Sequence, residues 1–270
     1  MRIIRNTEYI KNRRRRARLA AGLGFLLLMS VWAIWFYPTF IVFAYGFLIL
    51  GYLVFSYGMA QMGKWNRTPR ADNILDERLK PLPDKFTLIH YATLGKHTVE
   101  HMLVHPGGVV ALTARAIPGT IKGRGSRWRR TGFGLTRLFG SGPQLGNPSF
   151  ETQQSIAAIE QALRQAQLEV DVGGAIVFVN PQVNLDVEET DYPALLVSAL
   201  PNFVRLLPED ASIKPAERQQ VVEVLSGGAA EEAPERPRST RRPVRARRPA
   251  KADKTEKPEK AEKAVKKKVA

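Results

Sequence analysis

HTVEHMLVHPGGVVALTAR, residues 97–115, is two apolar runs broken at Pro106-Gly107-Gly108. Runs of this length around a Pro-Gly pair read as a β-hairpin, with Pro106 and Gly107 at the central positions of a type II turn. If Val104 faces Val109, counting outward sets Glu100 opposite Thr113 with Arg115 on the diagonal, and the three side chains share one face. On residue type alone, Glu100 and Arg115 are expected to form a cross-strand ion pair, which stabilises a partly exposed face weakly.

Outward from the hairpin the pattern is α/β. Asp72 is expected to cap a helix running to Leu79, and strands are expected at Phe86–Ala92, His97–His105, Val109–Arg115 and Ala175–Asn180. Pro148–Gln167 reads as a helix with Ile156, Ile159 and Leu163 on one side. Ala194–Val197 suggests a short strand, and Leu200–Leu207 and Pro215–Leu225 suggest closing helices.

The order of these pieces resembles the nuclease-related domain, a restriction-endonuclease-like family. The residues carrying the resemblance are Ala71-Asp72, Leu82-Pro83, Val99-Glu100-His101, Gly108-Val109, Thr113-Ala114-Arg115, Gly119-Thr120-Ile121, Trp128, Asn147-Pro148 with Gln153, and the strand AIVFVN. The resemblance implies a mixed sheet flanked by helices, and a site at Asp72, Glu100, Thr113 and Arg115. Metal-dependent hydrolysis needs convergent carboxylates to hold the cation and a lysine beside the attacking water. Thr113 stands where the family has a carboxylate, and Arg115 where it has a lysine, and a guanidinium does not deprotonate. The site therefore reads as degenerate, and the expected role is binding or scaffolding without a cofactor. The alternative is an Mg²⁺-dependent nuclease that recruits a further acid, such as Glu77 or Glu151.

No charged residue occurs between Leu19 and Ala60, and Tyr37-Pro38-Thr39 divides that segment in two. Each half can cross a hydrocarbon core of about 30 Å. Residues 19–60 are thus expected to form a two-helix transmembrane hairpin, with Trp32, Trp35, Phe36 and Tyr37 near its tip. Arg13–Arg16 and Arg18 precede it and Lys64, Arg67 and Arg70 follow it, so both termini and the soluble domain are expected in the cytoplasm, at the plasma membrane. The absence of cysteine agrees with a reducing compartment.

The net charge of +16 sits mainly at the ends. Residues 1–18 read as a basic segment beside anionic lipid, and 65–226 as the soluble domain. Residues 227–270 hold fifteen basic and seven acidic side chains with no aromatic, a composition expected to stay disordered. That tail reads as the main source of any affinity for nucleic acid or anionic lipid, or as a solvated appendage. KGRGSRWRRTGFGLTR, residues 122–137, reads either as a mobile loop or as a nucleic-acid grip formed by Arg124, Arg127, Arg129 and Arg130 around a stacking Trp128. His90, His97, His101 and His105 spread along strands at about 3.3 Å per residue, too far apart for a compact metal site.

Overall fold

The computed structural model describes residues 1–34, 41–66, 68–131, 145–208, 213–227 and 230–231, and residues 1–233 form one compact unit. The expected mixed α/β architecture is present. A seven-stranded sheet runs in the order β10-β1-β2-β3-β4-β7-β9. Its strands are β1 (Arg2–Arg5), β2 (Thr87–Leu94), β3 (His97–His105), β4 (Gly108–Arg115), β7 (Val172–Phe178), β9 (Ala194–Leu196) and β10 (Ala230–Glu231). A second sheet, β6-β5-β8, joins β5 (Gly119–Gly125), β6 (Arg127–Thr131) and β8 (Val183–Thr190).

The central hairpin has the expected register, Val104↔Val109 and His105↔Gly108. Its turn differs from the expected type II geometry, because the glycine with positive φ is Gly108 (φ 147°) rather than Gly107. From this hairpin the sheet extends by antiparallel β2–β3 pairing on one side and parallel β4–β7 pairing on the other.

Alternation along the strands builds a core on each face. Ile89, Met102, Val104, Val109 and Ala111 meet Ile159 and Leu163 of α4 (Pro148–Gln165) and Val221 and Leu225 of α6 (Pro215–Ser226). Leu88, Leu103, Val110 and Leu112 meet Leu75 and Leu79 of α3 (Ala71–Leu79) and Leu200 and Val204 of α5 (Leu200–Arg205). Burying side chains of this size contributes about 1.5–3 kcal/mol each. The Asn147 side chain accepts a hydrogen bond from the Phe150 amide and Pro148 follows it, which fixes the start of α4.

The alternation slips once. In β2 the residues on the α4 face are Ile89, Ala92 and Leu94, and in β3 they are Val99, Met102 and Val104. The cause is Tyr91, a non-glycine residue at φ 58°, which lies where the β2–β3 ladder skips from His90↔His101 to Ala92↔Val99. Counting faces outward from the turn therefore fails beyond Met102, short of Glu100.

Three further expectations are corrected. Residues 1–18, expected as a basic segment beside lipid, are built into the fold. β1 pairs in parallel with β2, and α1 (Thr7–Ile34) begins two residues later and carries Arg13–Arg18 within the helix. Asp72 is not the cap of α3: Arg70 holds that position, and Asp72 lies inside the first turn. Residues 122–131 are not a loop. They belong to an antiparallel ribbon in which Gly123 pairs with Trp128 and the indole lies over the glycine, within 2.7 Å of a Cβ built there. A run of glycines and arginines lacks the apolar alternation by which strands are read, so this ribbon was hidden, as was β8. Residues 132–137, the expected hairpin tip at 35–37, Arg67, and residues 228–229 and 232–270 of the expected tail lie outside the described residues, while Ala230–Glu231 of that tail form β10.

α1 runs antiparallel to α2 (Ile41–Trp65) at very close range. A Cβ on Gly24 would stand 2.3 Å from the Phe55 amide nitrogen, and one on Gly58 would stand 2.3 Å from that of Ala21. Small residues at such contacts let two backbones touch. Among the described residues one helix, α2, is long and apolar enough to cross a membrane. Leu19, Leu23 and Leu26 of α1 and Val42, Phe43 and Ile49 of α2 are exposed. At the opposite end the helices dock on the sheet through Tyr9, Trp65 and Tyr91, whose rings lie 5.5–5.8 Å apart.

Gly108 is the turn position with the least tolerance. A Cβ there would lie 2.4 Å from the Asp171 carbonyl oxygen, which already accepts the Val109 amide. Gly95, at φ 58°, has open space instead. Gly108→Ala is expected to lower stability by more than the ~1–3 kcal/mol that strained φ alone costs. Thermal unfolding of the detergent-solubilised chain should show a larger drop for Gly108→Ala than for Gly95→Ala, and equal drops would show that the contact with Asp171 relaxes freely.

Candidate functional site

Asp72, Glu100, Thr113 and Arg115 come from α3, β3 and β4. Each is held by its own partners, supplied from a different element. Asp72 is fully buried and accepts two hydrogen bonds from Arg70, at 2.6 Å and 2.9 Å. Arg5 of β1 stands 3.6 Å from the same carboxylate. Burial opposes ionisation of Asp72, but the hydrogen bond and charge of Arg70, with the charges of Arg5 and His90, hold its pKa below the usual carboxylate range.

Glu100 takes Lys64 from the last turn of α2, Nζ to Oε1 2.6 Å. Burial again opposes ionisation, and the charge and hydrogen bond of Lys64, with the charge of Arg115, outweigh it, so the Glu100 pKa is lowered. The Lys64 side chain is 55% exposed, so this pair contributes little to stability. Thr113 lies on the α4 side. The Thr152 hydroxyl donates to the Pro148 carbonyl at 2.8 Å, which leaves the Thr113 hydroxyl as the donor in the 2.6 Å bond to Thr152. Arg115 reaches Glu151 at 2.5 Å and donates to the carbonyls of Leu145 and Ala114, clamping the approach to α4 onto the end of β4. The expected Glu100–Arg115 ion pair is thus replaced by two pairs to other partners. Slippage at Tyr91 and the nearness of Lys64 and Glu151 account for the exchange.

Metal-dependent hydrolysis calls for a divalent cation, and this donor set does not fit one. Of the two acids, Asp72 is sealed under Arg70 and Arg5, and the third position offers a hydroxyl already committed to Thr152. Among the described residues no three His, Asp or Glu side chains are grouped to hold a metal.

A buried polar cluster of His90, His101 and Asp76 was missed in the sequence. His90 Nδ1 lies 2.7 Å from His101 Nδ1, and His90 Nε2 lies 2.8 Å from Asp76 Oδ1. Asp76 pairs in turn with Arg5. If His90 is neutral, its Nε2–H serves Asp76 and its Nδ1 accepts from His101. If it is protonated, it donates to both. In the second arrangement His101 Nδ1 must accept, which requires a neutral His101 ring. Burial first, then the His90 charge, lowers the His101 pKa to about 3, against the opposing pull of Glu100, Asp72 and Asp76. Burial and the charges of Asp72 and Glu100 push the Tyr91 phenol up. The signal was available for the histidines: Leu94 pairs with His97 across Gly95-Lys96, and counting outward from that turn sets His90 opposite His101. Arg5 had none, because it arrives from a distant strand.

The residues of the suspected nucleic-acid grip fall on two faces. Arg124, Arg127 and Arg129 point outward from the ribbon. Trp128 turns inward, with its ring 5.9 Å from that of Phe178 and its Nε1 donating to Ser149 at 2.8 Å, so it is not placed to stack on a base. Arg130 shares that inner side and donates to the Pro118 carbonyl.

A neutral buried His101 couples stability to pH. The unfolded chain binds its proton near pH 6.5 and the folded chain only near 3, so stability is full above about 6.5 and falls with pH between those values, by at most about 1.4 kcal/mol per unit. Unfolding of wild type between about pH 6.5 and 4.5 should show this slope, and His101→Phe should flatten it; an unchanged slope would place the titration elsewhere.

No curated protein and no solved structure matches the chain. The family comparison does find a counterpart, and it spans the helix of Asp72, the central hairpin, the ribbon and β7: residues 69–179 match the nuclease-related domain.

Proposed function

We infer that this protein is membrane-anchored and that its nuclease-related domain acts in the cytoplasm as a binding or scaffolding module, without cutting phosphodiester bonds. One observation carries the reading. At the position where the family has a carboxylate, Thr113 offers a hydroxyl already donated to Thr152. Around it, Asp72 is neutralised by Arg70 and Arg5 and Glu100 by Lys64, so the two acids that remain spend their charge on the protein itself. A hydrolytic site keeps such charge free for a cation.

Anchoring is supported by α2, by the exposed apolar side chains along both α1 and α2, and by the basic residues Arg13–Arg16, Arg18, Lys64 and Arg70 at the domain-side ends of the two helices. On the positive-inside rule those ends face the cytoplasm, and α1 with α2 forms a two-pass hairpin. The second reading, an Mg²⁺-dependent nuclease, has one observation in its favour: Glu151, 47% exposed, brings an acid to within 2.5 Å of Arg115.

Two measurements test the proposal. Reporters fused before Met1 and after Ala270 should both be cytosolic; a C-terminus open to protease from outside the cell would reverse the orientation. The full chain in detergent should show no Mg²⁺- or Mn²⁺-dependent cleavage of single- or double-stranded DNA above a Glu100→Ala control. Thr113→Glu with Arg115→Lys is the change expected to restore metal binding. Cleavage by wild type that vanishes in both Glu100→Ala and Glu151→Ala would establish the nuclease reading instead.

A further inference from the structure

The outer face of the β5–β6 ribbon sets like charges directly opposite one another. Lys122 pairs with Arg129 and Arg124 with Arg127, and all four are exposed. Like charges facing each other across an antiparallel pair destabilise it. Relief comes from one side only: Asp186 of β8 reaches Lys122 at 2.8 Å, and Glu188 reaches Arg124 at 3.9 Å. Arg127 and Arg129, on the edge strand, have no ion pair among the described residues. Residues 132–144, which follow the ribbon, contain no acid to supply one.

The inner face explains why the arrangement is fixed. Trp128 packs with Phe178, Leu185 and Ile121, so alternate residues of β6 are pinned and Arg127 and Arg129 are held outward. Residues two apart on a strand are about 6.7 Å apart, and opposite residues about 5 Å. Four cations at this spacing form a flat, rigid quadrilateral, neutralised along its β8 edge and open along its β6 edge.

We propose that this ribbon face is a docking surface for the phosphate backbone of duplex nucleic acid, engaged through Arg127 and Arg129 and steered by Lys122 and Arg124. A duplex fits better than a single strand, because Trp128 faces inward and the outer face offers no aromatic side chain for a base to stack on. It fits better than a membrane because α1 and α2 meet the sheet at Tyr91 in β2, whereas the ribbon packs against Phe178 in β7, with β3 and β4 between them. The surface is separate from Asp72 and Glu100, and the proposal does not depend on whether that site is active.

The test uses the full chain in phosphatidylcholine nanodiscs and a DNA duplex of about 30 base pairs, titrated between about 50 and 200 mM salt. Arg127→Ala with Arg129→Ala should weaken binding at least tenfold at the lowest salt and reduce the slope of log affinity against log salt by about 2, since each phosphate contact contributes about 0.9. Asp186→Ala with Glu188→Ala leaves the arginines in place and should tighten binding. Lys266→Ala with Lys267→Ala and Lys268→Ala, which reduces the competing charge of the tail, should change the slope less than the arginine pair does. An unchanged slope in the arginine variant, a larger loss in the tail variant, or displacement of duplex by phosphatidylglycerol vesicles at equal phosphate concentration would each overturn the proposal.

Discussion

A carboxylate with no exposed surface has to be met by a cation, and in this protein that requirement ties the N-terminal strand to the rest of the domain. Asp72 lies inside the first turn of α3, where Arg70 alone would answer it; Arg5 answers it as well, and reaches Asp76 in the same step. Arg5 can do so only because β1 lies beside β2. Pairing a buried charge recovers a desolvation cost of several kcal/mol. Once β1 is in place, α1 must leave from its end, α2 must return alongside, and Lys64 arrives at Glu100. The segment that reads as a basic stretch beside lipid is thus a structural part of the domain.

The same arrangement gives Asp72, Glu100, Thr113 and Arg115 their character. Cations from β1, α2 and the start of α3 occupy the acids, while α4 occupies Thr113 and Arg115 through Thr152 and Glu151. These polar groups join secondary-structure elements to one another. His90, His101 and Asp76 extend the pattern inward, and their burial makes His101 a neutral link rather than a titrating one.

Local chemistry decided what could be read from residues alone. The Pro106-Gly107 hairpin, the Asn147-Pro148 start of α4 and the strand at Ala175 each announce themselves within a few positions, and they stand where they were expected, with β7 starting at Val172. The site was legible as a set of residue types but not as a geometry. Tyr91 at positive φ shifts the alternation just where Glu100 sits, and no sequence rule places a left-handed tyrosine there. β5 and β6 were illegible for a different reason: their inner face is built from Ile121, Gly123 and Trp128, too short an apolar signal to stand out among the surrounding arginines. Cations brought from Arg5 and Lys64 depend on long-range pairing, which leaves no local trace.

The parallel pairing of β1 with β2 has a consequence for how the chain is made. β1 is synthesised before both long helices, its neighbours Thr87–His90 only after them, and its other neighbour, β10, later still. Through that interval a four-residue strand waits with both edges bare, next to a helix rich in arginine. Closure of this β1–β2 edge is therefore a late event in assembly, a long loop-closure step of the kind that sets slow folding rates. Anything that engages Arg2–Arg5 before Thr87–His90 are made competes with completion of the domain itself.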